Sequence, residues 1–133
     1  MTHVITAILT KDGEILILKR GHRVSTYRGR WAGVSGYLEE NETPLQRAMK
    51  EIEEETGLKN NEIKLIREGE VMEFIDENNG RIWRVHPFLF EVKRKKIKID
   101  WEHEEYRWID VEDIDKYETV PGLKKVILTL LNL

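Results

Sequence analysis

Between Thr43 and Gly57 the chain carries a full set of helix signals, and any fold it adopts must find a layer for that helix to lie on. Thr43 is an N-cap residue, Pro44 suits the first helical position, and Gln46 completes a capping box three residues after Thr43. Leu45, Ala48, Met49 and Ile52 form an apolar stripe at helical spacing, and Gly57 is placed to end the helix. The C-terminal half breaks two local rules. Glu51, Glu54 and Glu55 fall within an arc of about 100° beside the stripe. Like charges at such spacing cost ~0.2–0.5 kcal/mol a pair, and acids near a helix C-terminus oppose the macrodipole.

A solvated face with Arg47–Glu51 and Lys50–Glu54 pairs would compensate in part, although base-before-acid is the poorer orientation. A bound divalent cation gives the sharper explanation, because it converts the repulsion into ligation. With no cysteine and only 4 histidines, the donors on offer are hard carboxylate oxygens. Such donors select Mg2+ or Mn2+.

Around this helix the pattern is mostly strands. Val4 to Leu9 and Ile15 to Leu18 flank a tight turn at Lys11-Asp12-Gly13-Glu14, which predicts an opening hairpin. A basic loop from Lys19 to Arg30 follows, then a short glycine-broken strand from Trp31 to Tyr37. Strand-like runs recur at Ile63 to Ile66, Val71 to Ile75, Arg81 to Val92 and Tyr106 to Ile109, with a hairpin turn at Asn78-Asn79-Gly80. Pro121 opens a last amphipathic helix through Val126, Leu130 and Leu131. The expected fold class is α/β, in one domain spanning residues 1–133. The absence of cysteine excludes disulfide frameworks, thiolate zinc sites and cysteine nucleophiles. Twenty-two basic against 25 acidic side chains argue against a general nucleic-acid or membrane-surface binder. No apolar run is long enough to span a bilayer and the N-terminus lacks a basic leader, so a cytoplasmic location is expected.

Gly36, Glu42, Lys50, Glu51, Ile52, Glu54, Glu55, Gly57 and Leu58 match the spacing G-x5-E-x7-R-E-U-x-E-E-x-G-U, where U is a bulky aliphatic. That is the Nudix box, and the chain resembles the Nudix hydrolase family. The departure is Lys50 at the box arginine, which keeps the charge but loses the bidentate fork. The resemblance implies an α/β/α sandwich around a mixed β-sheet and metal-dependent hydrolysis of a nucleoside diphosphate linked to another moiety. By the same analogy the Gly36 carbonyl and the carboxylates of Glu51, Glu54 and Glu55 hold the metal, with Glu42 as a supporting acid. At the box arginine's position, Lys50 would steady a catalytic carboxylate.

Trp101-Glu102-His103-Glu104-Glu105-Tyr106-Arg107-Trp108 resembles the E-H-x-E-Y-x-W stretch of several Nudix branches, in which an acid reaches back to the metals. Glu102 is the first choice for that role, as metal ligand or general base, and Glu105 the second; the alternative is a charged surface loop. His103 has a suitable pKa for a base, but a lone loop histidine is more often polar surface. Arg20, Arg23, Arg28 and Arg30, with Lys19, Tyr27 and Trp31 interleaved, suggest a phosphate clamp with aromatic faces for a base or sugar. Phe74, Trp83 and Phe88 are candidates for a base pocket or for core. The stretches Tyr27 to Gly36 and His86 to Phe90 are similar to archaeal Nudix proteins. The expected activity is therefore phosphoanhydride cleavage by metal-activated water, on a small nucleotide-derived substrate. Two rivals are a catalytically weak nucleotide-binding sensor and a protein-interaction module. Exposed strand edges leave a homodimer open.

Overall fold

Val4 to Leu9 and Ile15 to Leu18 are apolar at nearly every position, a pattern that only a strand covered on both faces requires. The computed structural model describes residues 2–133 and supplies both covers. Strands β1 (Thr2–Lys11), β2 (Glu14–Arg20), β3 (Trp31–Ala32), β4 (Val34–Tyr37), β5 (Ile63–Glu68), β6 (Met72–Ile75), β7 (Ile82–Val92) and β8 (His103–Ile109) form one mixed sheet. β1 runs parallel to β7, from Thr2 opposite Trp83 to Thr10 opposite Glu91. Every other pairing between strands is antiparallel.

Alternation sends Ile5, Ala7, Leu9, Leu16, Leu18, Phe88 and Phe90 to one face, where Ala48 and Ile52 of helix α1 (Pro44–Thr56) pack on them. It sends Val4, Ile8, Ile15, Ile17, Val85 and Leu89 to the other, under Leu123, Val126, Ile127 and Leu130 of helix α2 (Leu123–Leu130). The result is an α/β/α sandwich. Ile52 is fully buried, so truncating it to alanine is expected to cost about 2–5 kcal/mol.

Local signals set most element ends. The Thr43 hydroxyl accepts from the Gln46 amide while the Gln46 side chain accepts from the Thr43 amide, closing the capping box. Gly57 ends α1 at φ 77°, a left-handed conformation that any other residue would adopt at a cost. Two boundaries move from expectation. α2 starts at Leu123 rather than Pro121, because Gly122 takes a left-handed turn at φ 82° before it. β8 begins at His103, three residues ahead of Tyr106, because Arg20 at the end of β2 pairs with His103.

Candidate active site

The apolar stripe of α1 fixes its rotation, and rotation decides the fate of each acid. With Ala48 and Ile52 against the sheet, Glu51 and Glu55 are buried and Glu54 is exposed. Glu51 lies against β4: a Cβ built on Gly36 would stand 2.4 Å from its Cδ and 2.6 Å from its Oε1. Only glycine leaves room there. The strand backbone and the helix carboxylate thus meet across the glycine of the box.

Glu55 is the most unusual acid in the chain. It is 1% exposed, and its Oε2 has no hydrogen-bond partner among the described residues. Oε1 is 3.6 Å from Nε2 of His103, whose Nδ1 is 2.9 Å from Asp100 Oδ1. Burial pushes the Glu55 carboxyl well above its usual range, and the neighbouring Glu51, Glu102 and Asp100 carboxylates push the same way. Burial likewise lowers the His103 pKa, while Asp100 opposes that shift. A polar surface loop was the expectation for His103; the structure instead buries it behind Glu55.

Glu102 stands immediately before β8, half-buried, with its backbone carbonyl accepting from the Gly21 amide at 2.8 Å. Its carboxyl pKa is raised by burial first, then by Asp100, Glu51 and Glu54, with Arg20 opposing. Glu105, the second choice, instead accepts from Arg107 Nε at 2.6 Å on the exposed side of β8. Trp101, next to Glu102, is 63% exposed and does not anchor that segment.

Lys50 does not occupy the place its position in the box suggests. Its side chain is 61% exposed, with Nζ 3.5 Å from Glu42 Oε1. The buried guanidinium of Arg47 lies among the acids instead. Its Nη2 donates to Glu39 Oε2 and Glu42 Oε1, each at 2.8 Å, its Nε to Glu42 Oε2, and its Nη1 to Glu51 Oε1 at 3.1 Å. Hydrogen bonding to Arg47 holds the Glu42 carboxyl down at about 2. In the sequence Arg47 reads only as half of a surface pair with Glu51. The signal available was its i,i+4 spacing to Glu51 on the flank next to the buried stripe.

A cleft of about 330 Å³ opens beside Gly36, Glu51 and Glu102. Phe74, Trp83, Tyr27 and Tyr37 line it, with Arg20 at the acidic end. Its walls are tied together by one carboxylate. Asp76 accepts from the Tyr27 hydroxyl at 2.8 Å, from Trp83 Nε1 at 2.8 Å and from the Asn78 amide at 2.8 Å. The Tyr37 and Trp83 rings lie 5.7 Å apart with a 31° tilt. Phe74 leans on Gly122, where a Cβ would come within 2.6 Å of its ring.

The basic loop divides. Arg20 faces the cleft and is steadied by Thr26, through Nε to the carbonyl at 2.9 Å and through its Nη2 to the hydroxyl at 3.1 Å. Tyr27 also lines the cleft. Arg30 pairs with Glu77 and Glu118, and Arg28 donates to the Val24 carbonyl. Arg23 is exposed outside the cleft lining. Trp31 is not brought to the cleft; it is 7% exposed, in the core against Tyr117. Phe88 is likewise core.

The donors available to a cation here are hard oxygens: the Gly36 carbonyl and the carboxylates of Glu51, Glu54, Glu55 and Glu102. Among the described residues no three acids or histidines converge as a ready-made ligand set. Glu51 is drawn to Arg47 and Glu55 to His103. The orphaned, buried Oε2 of Glu55 and the tight Gly36–Glu51 approach nonetheless fit a divalent cation of the Mg2+ kind.

Sandwich, box helix and cleft together define a Nudix-type hydrolase fold. The family model described as NUDIX domain matches residues 1–130; the chain belongs to this family and is a Nudix diphosphohydrolase. It is 28% identical over 124 residues to the RNA pyrophosphohydrolase of Sphingopyxis alaskensis, covering 82% of this chain and 77% of that protein. It is 27% identical over 126 residues to the CTP pyrophosphohydrolase of Escherichia coli, covering 92% and 85%. The solved dihydroneopterin triphosphate pyrophosphohydrolase of E. coli superposes with a TM-score of 0.81 at 21% identity, covering 98% of this chain and 96% of that one. That likeness shows the fold.

Proposed function

We propose that this protein is a Mg2+- or Mn2+-dependent hydrolase of a nucleoside diphosphate linked to a further group, with water as the attacking nucleophile. The observation that carries the proposal is the Glu55 carboxylate, buried with an unpartnered Oε2 among the described residues and next to Glu51, which itself lies against Gly36. A carboxylate so desolvated is costly unless a cation takes it up. The Gly36 carbonyl with Glu51, Glu54 and Glu55 would hold that cation, which leaves the Glu102 carboxylate free as a base. When bound, it would offset the charge of the diphosphate and make a water more acidic.

The chain's own groups do the rest. Glu102 has its carboxyl pKa raised by burial and by its acidic neighbours, which suits it to accept the water's proton. Arg20, fixed by Thr26 at the acidic end of the cleft, pairs with a phosphate oxygen. Trp83, Tyr37 and Phe74 give a base or sugar an apolar face. The RNA and CTP pyrophosphohydrolases among its relatives support a nucleoside phosphate as the substrate class. No helix of the described residues is long and apolar enough to cross a membrane. A cytoplasmic enzyme of small soluble substrates is in keeping with that.

The test is a hydrolysis screen over nucleoside triphosphates, 5′-triphosphorylated RNA, dinucleotides and nucleotide sugars, with Mg2+, Mn2+ or chelator, beside Mn2+ titration calorimetry. Wild-type turnover that chelator abolishes, and a Glu102→Gln variant with kcat lowered ~10²-fold or more, are the expected results. A protein that neither binds Mn2+ nor hydrolyses any of these substrates would overturn the proposal.

A further inference from the structure

We infer that Arg47, not Lys50, is the residue that positions the Glu51 carboxylate for the reaction: a relocated guanidinium does the work that the box assigns to its arginine. The inference rests on the functional proposal above and goes beyond it, because it gives an unassigned residue a task and removes that task from the box position.

Helix geometry explains why the move works. Residues one apart on a helix face directions about 100° apart, whereas residues four apart lie on one face. From position 47 a side chain therefore runs directly over Glu51, while from position 50 it points away, and Lys50 does point to solvent. Arg47 is 7% exposed, which requires all of its charge and most of its N–H groups to be matched within the protein. They are matched by three carboxylates from two elements. Glu39 and Glu42 belong to the loop after β4, and Glu51 to the helix.

The division of labour among these bonds matters. The Glu42 carboxylate is gripped by both Nε and Nη2 of the guanidinium, a two-point contact that fixes the plane of the fork. The Glu39 amide holds Glu42 from the other side at 3.0 Å. The fork so anchored presents Nη1 to a single oxygen of Glu51, Oε1, at 3.1 Å. One N–H on one oxygen orients a carboxylate without consuming its second oxygen. An ammonium at position 47 could not bridge Glu42 and Glu51 in one fixed plane, since it is a point charge free to rotate. Three acids against one guanidinium also leave this corner net negative, so Arg47 does not cancel the attraction for a cation.

The test uses the full-length protein and four variants: Arg47→Lys, Lys50→Ala, Lys50→Arg and the double Arg47→Lys/Lys50→Arg. Steady-state kinetics with Mg2+, Mn2+ titration calorimetry and apo-protein melting are measured on each. Arg47→Lys is expected to lower kcat tenfold or more, to leave KM within about twofold, and to weaken Mn2+ binding severalfold. Its loss should exceed that of Lys50→Ala. The double variant should stay as slow as Arg47→Lys, because a side chain at position 50 reaches Glu42 but points away from Glu51. A loss that falls on kcat and Mn2+ affinity while KM holds separates positioning from mere structural support. An active, Mn2+-binding wild type whose Arg47→Lys variant matches it in kcat and Mn2+ affinity overturns this inference alone. So does a folded Arg47→Lys variant that loses less than Lys50→Ala. A wild type without activity or metal binding overturns the functional proposal and this inference together.

Discussion

Gly36→Ala isolates the approach of strand to helix more cleanly than any change to an acid. The added Cβ would stand 2.4 Å from Cδ, 2.6 Å from Oε1 and 2.7 Å from Cγ of Glu51. Carbon atoms in ordinary contact are ~3.5–4.0 Å apart, so the carboxylate must retreat by about 1 Å. It has little freedom to do so, being 11% exposed and held by Arg47 at 3.1 Å. Gly36 is not among the residues of positive φ, so alanine suits its backbone and the whole effect falls on Glu51. Overpacking of this sort costs ~1–3 kcal/mol, read as a melting temperature lower by some degrees. A displacement of about 1 Å at a reacting centre costs on the order of 10²-fold in rate. Melting curves and steady-state kinetics at saturating Mg2+ should show a folded protein, kcat down ~10²-fold and KM little changed, because the aromatic walls lie elsewhere. A folded Gly36→Ala protein with kcat within threefold of wild type would refute the reasoning.

Glu54→Gln should lower kcat ~10²–10⁴-fold without harming the fold, since Glu54 is exposed and forms no ion pair among the described residues; retention of a tenth of the wild-type rate would remove it from the site. Glu55→Gln should raise the melting temperature of the chelator-treated protein at neutral pH. The folded carboxyl pKa is raised, so the stability tied to its neutral form is present below the unfolded value and lost as pH rises through the folded one. The gain on Glu55→Gln should therefore fade below about pH 4, and a pH-independent gain would contradict the assignment. At the acid end the sign reverses. Arg47 and Arg94 hold Glu42 and Glu62 at about 2, so the stability they contribute is present above the usual carboxylate range and lost as pH falls toward 2. Glu62→Gln should flatten that acid limb in a melting series.

What could be read from the residues alone follows how local each cause is. The ends of α1 are legible because Thr43, Pro44, Gln46 and Gly57 act within a turn of where they stand. The Asn78-Asn79-Gly80 turn is legible for the same reason, with Gly80 at φ 70°. The pairing of β1 with β7 is not, because two buried runs announce burial without naming a partner. Within the site, the spacing from Gly36 to Leu58 points to Glu51, Glu54 and Glu55, yet it also points to Lys50, where the geometry favours Arg47. Pair rules for isolated helices assume both side chains are in water, and Arg47 is not. Trp31 and His103 went unread as interior groups for a related reason. Each sits beside charged residues in sequence, and only pairing across the sheet turns it inward.

The parallel bond between β1 and β7 also bears on how this chain is made. Of the eight strands β1 is synthesised before the others, and β2 and β4 can pair with it early, but its other edge stays open until β7 has emerged. Through that interval Ile5, Ile8 and Leu9 lack part of their final cover, on a strand whose free backbone groups invite a neighbouring chain. Closing so long a loop carries its entropic cost before any pairing rewards it, which makes this the slow and vulnerable step of folding. The carboxylates share that timetable. Glu51, Glu54 and Glu55 are synthesised mid-chain, but Glu102 joins them only after β7 has docked and β8 has begun. Until then the nascent chain carries the box without the acid proposed to act beside it.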